Sequence, residues 1–449
     1  MTDASDTPDP GTDAVESDRE IDAVESGSGT DDADSAPAYS ESEVRTVVLS
    51  LVAGVFFGGM GGGVAFPTIP ALGSVLGIAP LLVGVILSIN RFTRLLMSTP
   101  AGSVLDRMGT RRPMIAGFAV QGLVPFGYLV GLSPPLGIPS SAVFLVSRAA
   151  WGIGSAFVFV GAFSTVTHVT TAANRGRWVG YMRGGQSLGF PTGLILGGIV
   201  TELYGYAEAF AVAGVAGLFA AAVAYRVLPN VSPDVGEKSR LRDVPTLVRA
   251  DPRIGAVGAV NFTIRFLYAG VLLSTVVLYT EANDISLGGF AGTGTSGVVM
   301  AVSVLALSAS NLAVGRLSDS LGRTTTVVPG LGVFAAGFAL AALVPTARGV
   351  LVGVGLVGAG AGLAGPPLLA YLGDIAPDGD VGKLGGVYNV FGDLGSTLGP
   401  LVALPLAARI GLSGEYLACA GLVLVAIVIA ATTLRDDSAA AVEAATADD

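Results

Sequence analysis

Charge is what this sequence lacks most. Asp, Glu, Lys and Arg together make up 13% of its 449 residues, about half of the roughly 25% usual in a soluble globular domain. Lysine is nearly missing: Lys238 and Lys383 stand alone among 24 basic residues. Cys419 is the single cysteine, which excludes an intrachain disulfide and a cysteine-built metal site. His168 is the single histidine, which excludes a multi-histidine metal centre. No G-x-x-x-x-G-K followed by Ser or Thr occurs, which argues against a self-contained ATP-driven pump and gives no support to an enzyme. No cofactor and no nucleic-acid partner is expected.

What is present instead is apolar sequence. Hydrophobic residues reach 51% and mean hydropathy is +0.70. Runs of about 20 apolar residues, each able to cross a hydrocarbon core of roughly 30 Å, recur along the chain. Twelve spans are expected, near 46–72, 81–105, 114–132, 140–166, 178–202, 206–228, 254–280, 290–314, 326–345, 349–372, 384–408 and 414–434. A soluble fold with buried helices does not need a dozen such runs. The fold class is therefore an all-α membrane protein with twelve transmembrane helices.

The acidic residues lie in the tails. Residues 1–43 hold 14 Asp and Glu against Arg19 alone, and 435–449 hold five against Arg435. The stretch DAVES occurs at 13–17 and again at 22–26. Low hydrophobicity with high charge makes 1–43 an expected disordered tail, and 435–449 a second acidic tail. The body between them carries 22 basic residues against 15 acidic ones. Its arginines cluster in loops after even-numbered spans: Arg107, Arg111 and Arg112, then Arg175 and Arg177, then five basic residues at 229–253. Loops after odd-numbered spans hold only Arg348 and Arg409. The positive-inside rule then places both termini in the cytoplasm. In the linker, taken as 229–252, Leu241, Val244, Leu247 and Val248 fall at helical spacing. That suits a short surface helix, or else a plain flexible connection.

The chain repeats itself. GSVLDRMGTRRP at 102–113 and GRLSDSLGRTTT at 315–326 both read G-x-x-x-D-x-x-G between apolar runs. Gly176, Gly180, Gly189 and Gly193 likewise correspond to Gly382, Gly386, Gly395 and Gly399. Two pseudo-symmetric six-helix halves, 44–228 and 253–434, are the reading, as in transporters whose halves rock about a central site.

Over residues 44–434 the chain resembles the major facilitator superfamily. Gly102, Asp106, Arg107, Gly109 and Arg111 agree with that family's signature between spans two and three. Val104 replaces its leucine and Thr110 its first basic residue. Gly315, Leu317, Asp319, Gly322 and Arg323 agree in the second copy. The resemblance implies a conformational latch there; a static topology determinant is the alternative. With more charges to pair, the first copy is expected to be the stronger latch. RAAWGIGSA at 148–156 is similar to a span-four element of proton-coupled members, with Trp151 in place of its glutamine. GGQSLGFPTG at 184–193 and GSTLGP at 395–400 resemble an element of drug/proton antiporters. Gly189, Gly193, Gly395 and Gly399 would form close helix contacts, and Pro191 and Pro400 would be bend points. Ordinary small-residue packing would explain these glycines equally well.

Charges at bilayer depth are costly and so point to function. Arg91, Arg94, Arg148, Arg183 and Arg265 fall inside expected spans, with Asn90 beside Arg91. Asp393 is the one clearly central acid; Glu202 and Glu281 lie at the outer edge. The cavity should be net positive, unless the arginines serve helix carbonyls. Asp393 is the best proton carrier by depth, with His168 a weaker candidate. Span one carries no acid, unlike many multidrug exporters of the family. The expected function is a secondary transporter of the plasma (inner) membrane working by alternating access, with proton-coupled efflux of small organic molecules. The alternative is a carrier for organic or inorganic anions. The expected partners are the substrate, protons and lipid, and the protein is expected to be a monomer and not an enzyme.

Overall fold

The computed structural model describes residues 39–171, 174–231, 244–376 and 381–434. The expected tails at 1–43 and 435–449, apart from 39–43, and much of the linker lie outside these residues. Twelve long helices follow one another: α1 Glu41–Val75, α2 Pro80–Met108, α3 Arg111–Leu132, α4 Ser140–Val169, α5 Arg175–Leu203, α6 Tyr206–Val227, α7 Pro252–Ala282, α8 Gly292–Leu321, α9 Arg323–Leu343, α10 Ala347–Asp374, α11 Val381–Ile410 and α12 Leu412–Thr433. Eleven are long and apolar enough to cross a membrane. The remaining one, α5, has 29 residues, but its many glycines with Gln186, Ser187, Pro191 and Thr192 keep even its arginine-free part less apolar than the other eleven.

Local chemistry sets several ends. α1 begins ahead of the expected residue 46 because Ser40 and Glu43 form a capping box. The Glu43 amide donates to Ser40 Oγ at 3.3 Å and the Ser40 amide to Glu43 Oε2 at 2.9 Å. The expected loop at 105–113 is nearly all helix: only Gly109 and Thr110 join α2 to α3, and Gly322 alone joins α8 to α9. Gly109 has φ +75° and Gly322 +94°. A side chain is strained there, so both copies of the repeat carry glycine where the chain reverses. A short helix, Val244–Ala250, precedes α7 and packs Leu247 and Val248 against it and its neighbours. Of the four residues expected at helical spacing, Leu241 lies outside the described residues and the other three fall in this helix. α7 is interrupted by a π-helical turn, Phe266–Leu272, directly after Arg265. Hydropathy carried no sign of it.

Glycines bring the helices together in matched pairs. A Cβ on Gly189 would lie 2.2 Å from the Phe56 carbonyl oxygen, and one on Gly193 2.0 Å from that of Met60, so α5 touches the backbone of α1. On α11, Gly395 meets the Phe262 carbonyl and Gly399 the Cα of Gly270, on α7. Pro191 and Pro400 sit inside α5 and α11, where each removes one helical hydrogen bond. Gly193→Ala must therefore push two backbones apart, at about 1–3 kcal/mol. We expect a melting temperature several degrees lower in detergent, followed by size-exclusion fluorescence. Gly180→Ala, which faces open space, should leave it unchanged. Large apolar side chains such as Leu123, Val146, Val215 and Val428 remain exposed on the outer helices, as hydrocarbon surroundings allow.

α1–α6 and α7–α12 meet along two seams. In one, Gly198 of α5 lies against Thr293 of α8 and Leu194 against Gly297. In the other, α2 runs along α11, with Gly84 against the Pro400 carbonyl. Both contacts lie away from the arginine-bearing turns. Toward those turns, Gly176, Gly180 and Gly184 of α5 and Gly315 of α8 meet nothing within 4 Å, and Leu312 is 88% exposed. The bundle is thus zipped at its charge-poor end and open at its arginine-rich end.

Candidate functional site

The α2/α11 seam carries the expected mid-depth residues. At about 1.5 Å per residue, Arg91 and Arg94 stand roughly 16 and 21 Å along α2. Arg91 Nη1 donates to the Ala269 carbonyl at 2.9 Å and to the Ser396 carbonyl at 3.0 Å. One acceptor belongs to the π-turn of α7 and the other to α11. Its guanidinium lies 5.5 Å from the ring centre of Phe66, within range of a cation–π contact. One turn further, Arg94 Nη2 donates to Asp393 Oδ1 at 3.0 Å, and both side chains are 29% exposed. Beyond this pair α2 exposes Leu96, Thr99 and Pro100. Arg94–Asp393 is therefore the last rung before the opening: an ion pair across the two groups of helices that water can reach.

Arg148 is placed differently. It is 1% exposed, and its Nε and one terminal nitrogen have no hydrogen-bond partner. Its guanidinium lies 5.9 Å from the Phe66 ring, so Phe66 stands between Arg148 and Arg91. On α2 and α3, Ser88 Oγ, Asn90 Oδ1 and Tyr128 Oη are also buried and unpartnered. The backbone of Asn90 touches Gly152, one turn from Arg148. Unmatched buried groups of this kind normally take up water or a ligand.

Arg183 is exposed near the arginine-rich end of α5, and Arg265, roughly 20 Å along α7 and beside Gly392, is exposed where the bundle is open. His168 is a surface residue in edge contact with Tyr39. Gly185-Gln-Ser-Leu-Gly189 spells the nucleophile-elbow pattern, but it lies inside α5 and not at the strand-to-helix turn that chemistry requires.

The repeated turns are also unequal in their contacts: the second copy is the paired one in this structure. In the second copy Arg323 pairs with Asp319 and, at 3.0 Å, with Asp374, and donates to Ser318 at 3.0 Å. In the first, Asp106 and Arg107 have no partner among the described residues, and Arg111 donates to the Tyr225 carbonyl at 2.9 Å. With the arginine-rich end open, nothing from the other six helices reaches Asp106.

Sequence reasoning missed Glu415 and the partners of Glu202. Glu202, at the end of α5, accepts from the backbone amides of Ala291 at 2.7 Å and Gly294 at 2.8 Å, at the start of α8. Glu415, one turn into α12, is 1% exposed with both carboxyl oxygens unpartnered. Glu202 was visible as an edge acid, but its partners are backbone amides, which no pattern of side chains reveals.

Residues 51–296 and 282–449 match the description Major Facilitator Superfamily. The chain belongs to the Major Facilitator Superfamily. It is a multi-pass membrane transporter, not an enzyme, and as such takes small-molecule substrates within a lipid bilayer. Among its superfamily relatives, Multidrug resistance protein 2 of Bacillus subtilis is 24% identical over 372 residues, covering 80% of this chain and 88% of that protein. A bacterial homologue of the human lysosomal transporter Spinster, solved inward-facing and occupied, superposes with a TM-score of 0.70 at 15% identity. It covers 88% of this chain and 98% of that one. A human organic anion transporter superposes at 0.61 with 20% identity, over 86% and 99% of the two chains.

Proposed function

We propose that this superfamily member is a proton-coupled secondary transporter that exports small organic molecules by alternating access. The Arg94–Asp393 pair carries the reading. It joins the two groups of helices, lies at mid-depth and is reached by water from the open end. A proton taken up by Asp393 removes one charge of the pair and loosens the seam; its release restores the tie. Occupation by a proton and opening of the charge-poor end are then linked through one contact. The name of the Bacillus subtilis relative supports export of organic compounds.

A second reading is favoured by Arg148. The centre holds Arg91, Arg94, Arg148 and Arg265 against Asp393 alone. A buried guanidinium with two of its nitrogens unpartnered suits an acid-bearing substrate, and the protein would then carry organic or inorganic anions. Everted membrane vesicles under an imposed proton gradient test the first reading. Adding a transported cationic, neutral or anionic compound should collapse the gradient in proportion to uptake. Uptake with no effect on the gradient would leave only the anion carrier.

We further assign the arginine-rich end and both termini to the cytoplasm and the bundle to the plasma (inner) membrane, as a monomer. In a Cys419→Ala background, cysteines at exposed Ser286 and exposed Ser320 report on opposite ends. An impermeant thiol reagent added to intact cells should label Ser286→Cys only. Labelling of Ser320→Cys would invert the map.

A further inference from the structure

At the arginine-rich end, away from both seams, a cavity of about 430 Å³ opens between the end of α2, the start of α3 and the end of α6. Its lining is Met108, Arg111, Arg112, Ile115, Tyr225 and Asn230. Arg111 is held in place: it donates to the Tyr225 carbonyl at 2.9 Å and lies 5.9 Å from the Tyr225 ring centre. Its Nε is buried and has no acceptor. Arg112 is exposed and has no acidic partner among the described residues. The Asn230 side chain sits beside Gly109, where a Cβ would lie 2.3 Å from its Oδ1, and the Thr110 amide donates to the Val231 carbonyl at 2.8 Å. The nearest acid in sequence, Asp106, does not line the cavity. The site is therefore cationic, with an amide on one side, while Met108 and Ile115 supply an apolar wall. Tyr225 is 63% exposed, at the level where aromatic residues meet the membrane interface.

We propose that this cavity binds the phosphodiester of an anionic phospholipid from the leaflet at the arginine-rich end. The guanidinium of Arg112 faces the phosphate with the charge of Arg111 beside it, Asn230 contacts the headgroup, and an acyl chain runs along Ile115. Basic pockets between helices at a membrane surface take such headgroups, and each basic residue contributes about 1 kcal/mol of attraction. The lipid would brace the two-residue turn, Gly109–Thr110, that carries the first copy of the repeat. Free inorganic phosphate offers the same oxyanion, so the two sources must be separated.

The test uses the full-length protein in detergent and reads lipid adducts by native mass spectrometry, with melting temperature alongside. Phosphatidylglycerol should bind and raise the melting temperature by several degrees, and phosphatidylcholine should not. Arg112→Gln, an exposed position that leaves the fold intact, should weaken phosphatidylglycerol binding roughly fivefold, and Arg112→Lys should retain most of it. Equal binding of the two lipids, or unchanged binding by Arg112→Gln, would overturn the proposal. So would millimolar inorganic phosphate that displaces the lipid and gives the same stabilisation, since the site would then be one for a free oxyanion.

Discussion

Asp393→Asn should reduce proton-driven accumulation to the level of simple equilibration, while substrate binding and downhill flux persist. The pair with Arg94 joins α2 to α11 at 3.0 Å, and no other ion pair among the described residues crosses the two groups of helices. Asparagine keeps the volume and can still accept a hydrogen bond from Arg94, so the seam survives. What it cannot do is exchange a proton, and the link between protonation and opening is lost. Arg94→Gln is the harsher change, because it leaves a carboxylate at mid-depth without its partner. Removing one member of a desolvated pair commonly costs about 2–5 kcal/mol, and the 29% exposure of both side chains places this pair at the low end. The double variant should restore stability relative to Arg94→Gln alone, yet remain uncoupled. Purified protein in liposomes with an imposed pH gradient gives both quantities. Full accumulation by Asp393→Asn would remove this pair from the coupling mechanism. Arg148→Gln then separates the two proposed substrate classes. A loss of roughly a hundredfold in affinity for an acidic compound, about 3 kcal/mol, would identify the anion carrier.

The depth of these groups was legible in the sequence, and their pairing was not. Counting residues from the start of each apolar run placed Arg91, Arg94 and Asp393 near mid-depth, because helix rise is constant. Which residue meets which across 299 positions depends on how two helices are rotated and crossed, and near-uniform apolar surfaces carry little of that information. The paired glycines were legible for a firmer reason. At Gly109 and Gly322 the backbone demands a positive φ, and at Gly193 and Gly399 another backbone occupies the space a side chain would need. The π-turn at Phe266–Leu272 was not legible, since FLYAGVL is ordinary helical composition. Yet that turn contributes the Ala269 carbonyl to Arg91. Counting charges did not foretell which of the two repeated turns is paired in this structure. Arg323 finds two acids within reach, while Asp106 looks into an open end where its partners would have to come from across the bundle.

Glu202→Ala should move the conformational balance roughly 30- to 140-fold toward a state open at the charge-poor end. The reasoning starts from the first turn of α8. A helix leaves its first amides without intrahelical acceptors and carries a partial positive charge there. Ala291, at the cap position of α8, has no side chain that could serve them. Glu202 does so from α5, across the seam, with one carboxyl oxygen on the Ala291 amide and the other on the Gly294 amide. Thr293 adds a bond from its hydroxyl to the Gly198 carbonyl at 3.1 Å. Hydrogen bonds to a charged group contribute about 1.5–3 kcal/mol each, and water recovers part of that when the amides are freed. A net loss of about 2–3 kcal/mol corresponds to the stated shift at 1.4 kcal/mol per tenfold. Glu281, beside Gly292, is the other acid at this end, and a Cβ on Gly292 would lie 3.7 Å from its carboxyl. It makes no hydrogen bond to those amides, so it holds no tie that would survive the change. Glu202→Gln keeps one acceptor oxygen and should give an intermediate shift. Spin labels at exposed Ser133 and Ser286, in the Cys419→Ala background, report the separation across this end. The alanine variant should convert a short-distance majority into a long-distance one. An unchanged distribution would mean that the glycine contacts at Leu194–Gly198 hold this end closed without the carboxylate.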